Sequence, residues 1–361
     1  MKTINFTKNY LGGYKAYKEK WNYEDGCVLE GAYKLYEVTS DPYYKEFVEN
    51  FVKTRIENGK IKNYREDEYN IDNIKSGTIF FYLDSGDYKA EIDQLYSQIQ
   101  NHPRNIHGNF FHKQIYPDQI WLDGAYMCFP FYLLYEAKYN KFRNLDDIID
   151  QFKNIEKYLK DEKTGLYYHG YDASKKERWA DSNTGLSENF WLRSIGWLAM
   201  SLVDCIKILK VNKQNYEELE NILIDLLDSL KPYYDEKSNM WLQLVDKIDE
   251  NKNYPEVSGT SQLIYTIFKA DRIGILKDKS LLDMAEKSIH IIEENYISKD
   301  EKELKGICLV AGLGNTPYRD GSIEYYLNEE VGSNDPKGVG SYMMAYAEYI
   351  NYKRRNGNEE N

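Results

Sequence analysis

Residues 23–56, YEDGCVLEGAYKLYEVTSDPYYKEFVENFVKTRI, read as one helical hairpin, and much of the chain repeats this plan. Helical periodicity runs through 23–38 and stops at Thr39-Ser40-Asp41-Pro42. The same four residues start the next helix, because Asp41 can cap it and Pro42 suits a first turn. That helix runs to about residue 56, just before Asn58-Gly59. Working outward, helical spacing predicts further segments at 70–83, 88–100, 123–139, 145–159, 189–209, 216–230, 258–273, 281–295 and 338–353, with a shorter one near 8–21. They come in pairs joined by short turns such as 85–87 and 211–214. Longer polar segments (101–122, 160–188, 231–257 and 297–337) separate the pairs. No Pro/Gly/Ser linker divides 1–361, and the pairs lack the self-similarity of a solenoid. The expectation is an all-α, single-domain toroid of about six antiparallel hairpins, with its long loops gathered at one end.

Composition narrows the function classes. The chain has 361 residues, 42% hydrophobic and 29% charged, which is ample for a large core. Its 59 acidic residues outnumber 47 basic ones, for a net charge of −12, which argues against a nucleic-acid partner. Cys27, Cys128, Cys205 and Cys308 are far apart in sequence and show no paired spacing, so neither a zinc cluster nor a redox motif is predicted. His107 and His112 lack neighbouring ligand types, and His290 lies in a helical pattern. No run reaches membrane-span length, and the first eight residues carry no apolar stretch, so a cytoplasmic location is expected. The 35 tyrosines accompany abundant Asn, Lys and Ile and mostly reflect compositional bias. Nothing in the sequence fixes an oligomeric state.

Two clusters depart from this background. One runs from His169-Gly170-Tyr171-Asp172 through Arg178-Trp179 to Trp191-Leu192-Arg193 and Gly196-Trp197. The other joins His112-Lys113 to Trp121-Leu122-Asp123-Gly124 and Tyr126-Met127. Indole faces cover the apolar face of a sugar ring, and His, Lys and Arg neutralise a carboxylate. Each residue taken singly also suits a helix interface; the two clusters together point to a sugar-acid site. On the helix from 189, Trp191, Ile195, Leu198, Leu202, Cys205 and Leu209 form the packing stripe. Arg193, Trp197 and Met200 lie on another face, with Gly196 expected to leave room beside Trp197.

These motifs resemble glycoside hydrolase family 105, the unsaturated rhamnogalacturonyl hydrolases. The resemblance rests on the two clusters, with Tyr116-Pro117, Gln119, Ala180-Asp181 and Thr184-Gly185-Leu186-Ser187. It continues through Ala311-Gly312-Leu313-Gly314, Pro317-Tyr318-Arg319-Asp320-Gly321-Ser322, Tyr325-Tyr326 and Asn334-Asp335-Pro336-Lys337-Gly338-Val339-Gly340. Tyr23-Glu24, Tyr69-Asn70, Asp72 and Ser258-Gly259 complete its span of nearly the whole chain. Tyr171 and Phe111 stand where the family often has Trp, and both keep an aromatic ring. The resemblance implies an (α/α)6 barrel, in agreement with the hairpin count.

It also implies removal of a 4,5-unsaturated galacturonic acid from lyase-generated rhamnogalacturonan oligosaccharides, without metal or cofactor. Asp123 matches the family's acid/base position and Asp72 the second carboxylate, beside a hydroxyl or the attacking water. His169 and Arg193 are implied ligands of the uronate. Trp191, Trp197 and Tyr23 would stack or shape the pocket. His112, Lys113, Trp121 and Met127 would line the cleft, and Ser258 and 312–319 would lie near its mouth. Asp123 beside Trp121 is also a plausible helix cap, with burial and the helix dipole pulling its pKa in opposite directions. Three other readings remain: an unsaturated glucuronyl hydrolase acting on glycosaminoglycan, ulvan or arabinogalactan products; a non-catalytic sugar binder; and an inverting glycosidase using Asp72 with Asp123.

Overall fold

The computed structural model describes residues 2–357. Helices α1 (Lys2–Gly13), α2 (Tyr23–Thr39) and α3 (Pro42–Arg55) are followed by an eleven-residue 3₁₀ helix, Ile71–Phe81. Then come α4 (Lys89–Asn101), α5 (Leu122–Tyr135), α6 (Leu145–Leu159), α7 (Leu192–Val211) and α8 (Glu217–Leu230). The chain continues through α9 (Val257–Arg272), α10 (Ser280–Ile291), the short α11 (Ile323–Asn328) and α12 (Pro336–Gly357).

The hairpin read at 23–56 forms as expected. Ser40 turns left-handed at φ 57° and ends α2, while the Asp41 carboxylate accepts from Tyr43 N and Pro42 occupies the first turn of α3. Six inner elements make a closed ring: α2 packs on the 3₁₀ helix, that on α5, then α7, α9, α12 and back to α2. Outer helices lean on this ring, α3 on α2, α4 on the 3₁₀ helix and α5, α6 on α5, α8 on α7 and α10 on α9. The sixth outer helix is α1. Thr3 shares a hydrogen bond of 2.7 Å with Tyr342 of α12, and Lys2 donates to Ile297 O at 2.9 Å. The fold is thus a six-hairpin helical toroid in which α12 pairs with α1.

Three sequence expectations need correction. The first helix spans Lys2–Gly13 and not 8–21, since Gly12-Gly13 end it and 14–22 is irregular. Within segment 70–83, Ile71–Phe81 winds as a 3₁₀ helix, and Gly26 of α2 lies so close to Ser76 on it that a Cβ would lie 2.7 Å from Ser76 Cα. Gly196 makes room for Gln262 of α9, not for Trp197, whose ring stacks on Tyr126 at 5.0 Å. Among the described residues, no helix is long and apolar enough to cross a membrane.

Candidate active site

Short backbone ladders at one end of the ring bring the sequence clusters together. Strand Gln119–Trp121 pairs antiparallel with Gly170–Asp172, setting Trp121 opposite Gly170, and Leu122 N donates to His169 O. Asp123, in the first turn of α5, therefore stands beside His169. A second bridge, Asn70 to Lys113, with Ile71 N donating to His112 O, sets Asp72 beside His112 and Lys113. A third, Trp191 to Leu244, positions the start of α7 and with it Arg193.

The resulting cavity holds about 310 Å³. Tyr23, Asp72, His112, Lys113, Trp121, Asp123, Met127, Trp191, Arg193 and Trp197 all line it. One wall is a stack of rings: His112 lies 4.5 Å from Trp121 on one face and Tyr116 5.0 Å on the other, centroid to centroid. Six wall residues are cationic (Lys18, Lys20, Lys113, Arg193, Arg319 and Lys337) and three are carboxylic acids (Glu24, Asp72 and Asp123). The four lysines are ion-paired, to Glu24, Glu68, Asp72 and Asp335, so among the described residues Arg193 and Arg319 are the wall cations without a carboxylate partner, as suits an anionic ligand.

The two aspartates are held differently. Asp72 forms an ion pair with Lys113 at 2.7 Å, with His112 Nε2 at 3.5 Å. Burial pushes the Lys113 ammonium down, but Asp72 outweighs it and raises the pKa. Burial brings the His112 imidazole down to about 4 despite the pull of Asp72, so it is neutral near pH 7. Asp123 Oδ2 lies 3.2 Å from His169 Nε2, off the line of a good hydrogen bond. Burial pushes the Asp123 carboxyl up, yet His169 beside it and His112 beyond prevail and hold it below the usual range. Its backbone caps no helix through the side chain; Trp121 occupies the N-cap position of α5.

Arg193 reaches the cavity wall from a buried position, 2% exposed, and donates to Ser258 Oγ at 3.2 Å and to Cys308 O. Among the described residues no carboxylate ion-pairs with it, which leaves its charge available to a ligand. Ser258 itself, in the first turn of α9, does not line the cavity and serves to hold Arg193. His169 is fully buried and likewise stands one layer back, behind Asp123, so it is not placed to grip a uronate directly.

Residues 3–353 match the sequence profile described as Glycosyl Hydrolase Family 88. A solved glycoside hydrolase from family 105 of C. acetobutylicum is 39% identical, covering 96% of this chain and 98% of that one, with a TM-score of 0.91. The chain belongs to glycoside hydrolase family 105. The family 105 hydrolase is also 23% identical to the unsaturated rhamnogalacturonyl hydrolase YesR of Bacillus subtilis, over 70% of this chain and 72% of that protein. An unsaturated glucuronyl hydrolase from Bacillus sp. GL1, responsible for the degradation of glycosaminoglycan, shares the fold at 13% identity and a TM-score of 0.68, covering 95% and 94%.

Several wall residues of the hydrolase had no role assigned from sequence. Tyr17, Lys18, Lys20, Asn22 and Asn73 come from α2's approach and the 3₁₀ helix, and Leu309, Val310 and Ala311 from the late loop, where Arg319, expected near the mouth, also lines the wall. Arg319 donates to Gly314 O across a tight turn and to Tyr116 at 3.3 Å, tying that loop to the ring stack. Such residues carry no local signature, because only the folded loop brings them to the cavity. Among the described residues no three His, Cys, Asp or Glu side chains gather as a metal set would need.

Proposed function

We propose that this hydrolase removes an unsaturated galacturonic acid from the non-reducing end of lyase-generated rhamnogalacturonan oligosaccharides. The observation that carries the reading is Asp123 in the wall of the cavity, backed by His169, with Arg193 nearby and free of any carboxylate partner. The similarity to YesR supports rhamnogalacturonan over other lyase products.

The chemistry follows from the substrate's double bond between C4 and C5, which adjoins the ring oxygen and forms a vinyl ether. Asp123 gives a proton to C4, leaving an oxocarbenium-like centre at C5. Water adds at C5 and returns a proton to Asp123. The hemiketal then opens and expels the next sugar. A resting carboxylate suits the second half of this cycle. Binding of a uronate at Arg193 places negative charge beside Asp123 and expels water, and both effects favour the protonated acid that the first half needs. Asp72, already engaged by Lys113, is placed to hold a sugar hydroxyl or the incoming water. Trp191 and Trp197 contribute apolar ring surface to the wall, while both faces of Trp121 are taken by His112 and Tyr116. An adjoining open basin of about 670 Å³ shares Tyr17, Leu309 and Val310 with the cavity and gives the rest of the saccharide room.

The test is a panel of unsaturated disaccharides from rhamnogalacturonan, glycosaminoglycan, ulvan and arabinogalactan, followed by loss of the double bond's ultraviolet absorbance. Preferred turnover of the rhamnogalacturonan product is expected. Preferred turnover of a glucuronyl product would move the assignment to a glucuronyl hydrolase, and saturable binding without turnover would make the protein a sugar binder.

A further inference from the structure

We propose that Tyr326 is a positioning residue that sets the proton state of the His169–Asp123 pair. The inference rests on the acid/base role given to Asp123 above. Tyr326 lies on α11, in the late loop, and is fully buried. Ser322 caps α11, Gln243 donates to Tyr326 O at 3.4 Å, and the phenol ring lies over Trp191 at 6.1 Å. The hydroxyl so placed is 2.7 Å from His169 Nδ1, its sole hydrogen-bond partner among the described residues. The other ring nitrogen, Nε2, faces Asp123 Oδ2 at 3.2 Å. Tyrosine, histidine and aspartate thus form a line running from the loop to the cavity.

A buried hydroxyl that donates to nothing leaves a costly unmade hydrogen bond. Burial also keeps this phenol protonated, its pKa raised well above the ordinary tyrosine value. With neutral His169, the Tyr326 O–H donates to Nδ1, so the ring proton sits on Nε2, the nitrogen 3.2 Å from Asp123 Oδ2. When the ring carries a second proton, the hydroxyl rotates and its oxygen accepts from Nδ1–H. One group therefore serves both states of the imidazole. The doubly protonated ring stores the transferable proton: Nε2–H passes it to Asp123, leaving a neutral ring whose Nδ1–H is held by the Tyr326 oxygen; Asp123 passes it to C4, and the water that adds at C5 restores one to Nε2 through Asp123. Protons given and received balance over the cycle.

The groups facing this line are His112, Asp72 and Lys113 on the cavity side, and Tyr325, Arg319 and Cys308 on the loop side. All six stay in place in Tyr326→Phe, which deletes one oxygen and keeps the ring. That variant deprives the imidazolium of a charge-assisted acceptor, a larger loss than the neutral ring suffers. The proton-loaded pair is therefore disfavoured, and activity fails at lower pH.

The experiment measures kcat and KM against pH for wild type and Tyr326→Phe on the unsaturated rhamnogalacturonan disaccharide, with thermal melts to verify folding. Ring-nitrogen chemical shifts of His169 are recorded in both free proteins. The alkaline limb of kcat should move down by about one pH unit, a roughly 10-fold loss of rate above it, with KM changed by less than about 2-fold. The His169 shifts should report an Nε2–H tautomer in wild type and a mixture in the variant. A uniform fall in kcat with an unmoved limb, or identical His169 shifts in the two proteins, would overturn the proposal. If wild type turns over no unsaturated substrate, the functional reading fails, and the nitrogen shifts alone then decide the role of Tyr326.

Discussion

Asp123 and Asp72 are chemically alike and differ through their neighbours: a histidine for one, a lysine for the other. Only the first is placed to exchange a proton without breaking an ion pair. Asp123→Asn keeps the shape and removes the exchange, so kcat should fall by roughly 10³-fold. Calorimetry should find the substrate Kd within a few-fold of wild type; retained turnover would remove Asp123 from its role. At this scale the sequence showed which residue types gather, since the motifs around Trp121 and Trp191 are dense in ring and charge. It did not show depth. His169 and Ser258 looked like wall residues, yet ladder pairing and the start of α9 set each one layer behind its partner. Layering of this kind depends on which strand pairs with which loop, and no local pattern encodes it.

Among the elements, the inner helices approach one another at glycines. A Cβ on Gly340 of α12 would lie 2.4 Å from Cys27 O of α2, against backbone that cannot step aside. Gly340→Ala should cost about 2 kcal/mol or more and lower Tm by several degrees. Gly13→Ala, at the end of α1 with open space around it, is the matched control and should change Tm little. A melt in which both variants behave alike would argue against tight α2–α12 packing. Helix existence was legible because each element carries its own periodicity and caps, as Asp41-Pro42 does. Helix type was less so. The 3₁₀ winding of Ile71–Phe81 and the π turns at Glu136–Asn140 and Ile292–Tyr296 arise where ring packing overrides local preference. The six-residue α11 is too short to show a period, so the segment bearing Tyr326 read as loop.

For the whole molecule, acid sensitivity follows from two buried imidazoles. Burial, chiefly, lowers His102 and His112 from the ordinary 6.5 to about 4. Below about pH 6.5 the unfolded chain takes up protons that the folded one refuses. Stability is therefore present above that pH and is lost as pH falls toward about 4, on the order of 3 kcal/mol for each histidine. His102 also ties Gln98 and Phe111 O together, and Gln98 in turn reaches Asn70 O. Denaturant titrations from about pH 7 to about pH 4 should show the decline, and His102→Gln should show a shallower one. Equal slopes in the two proteins would mean that His102 does not contribute.

The ring's seam lies between α1 and α12, and Lys337, near the start of α12, is part of the cavity wall. A ribosome has thus released nearly all of the described chain before Asp123 has a finished enclosure around it. A chain lacking α12 should therefore turn over no substrate, because its ring is open and Lys337 is missing from the wall.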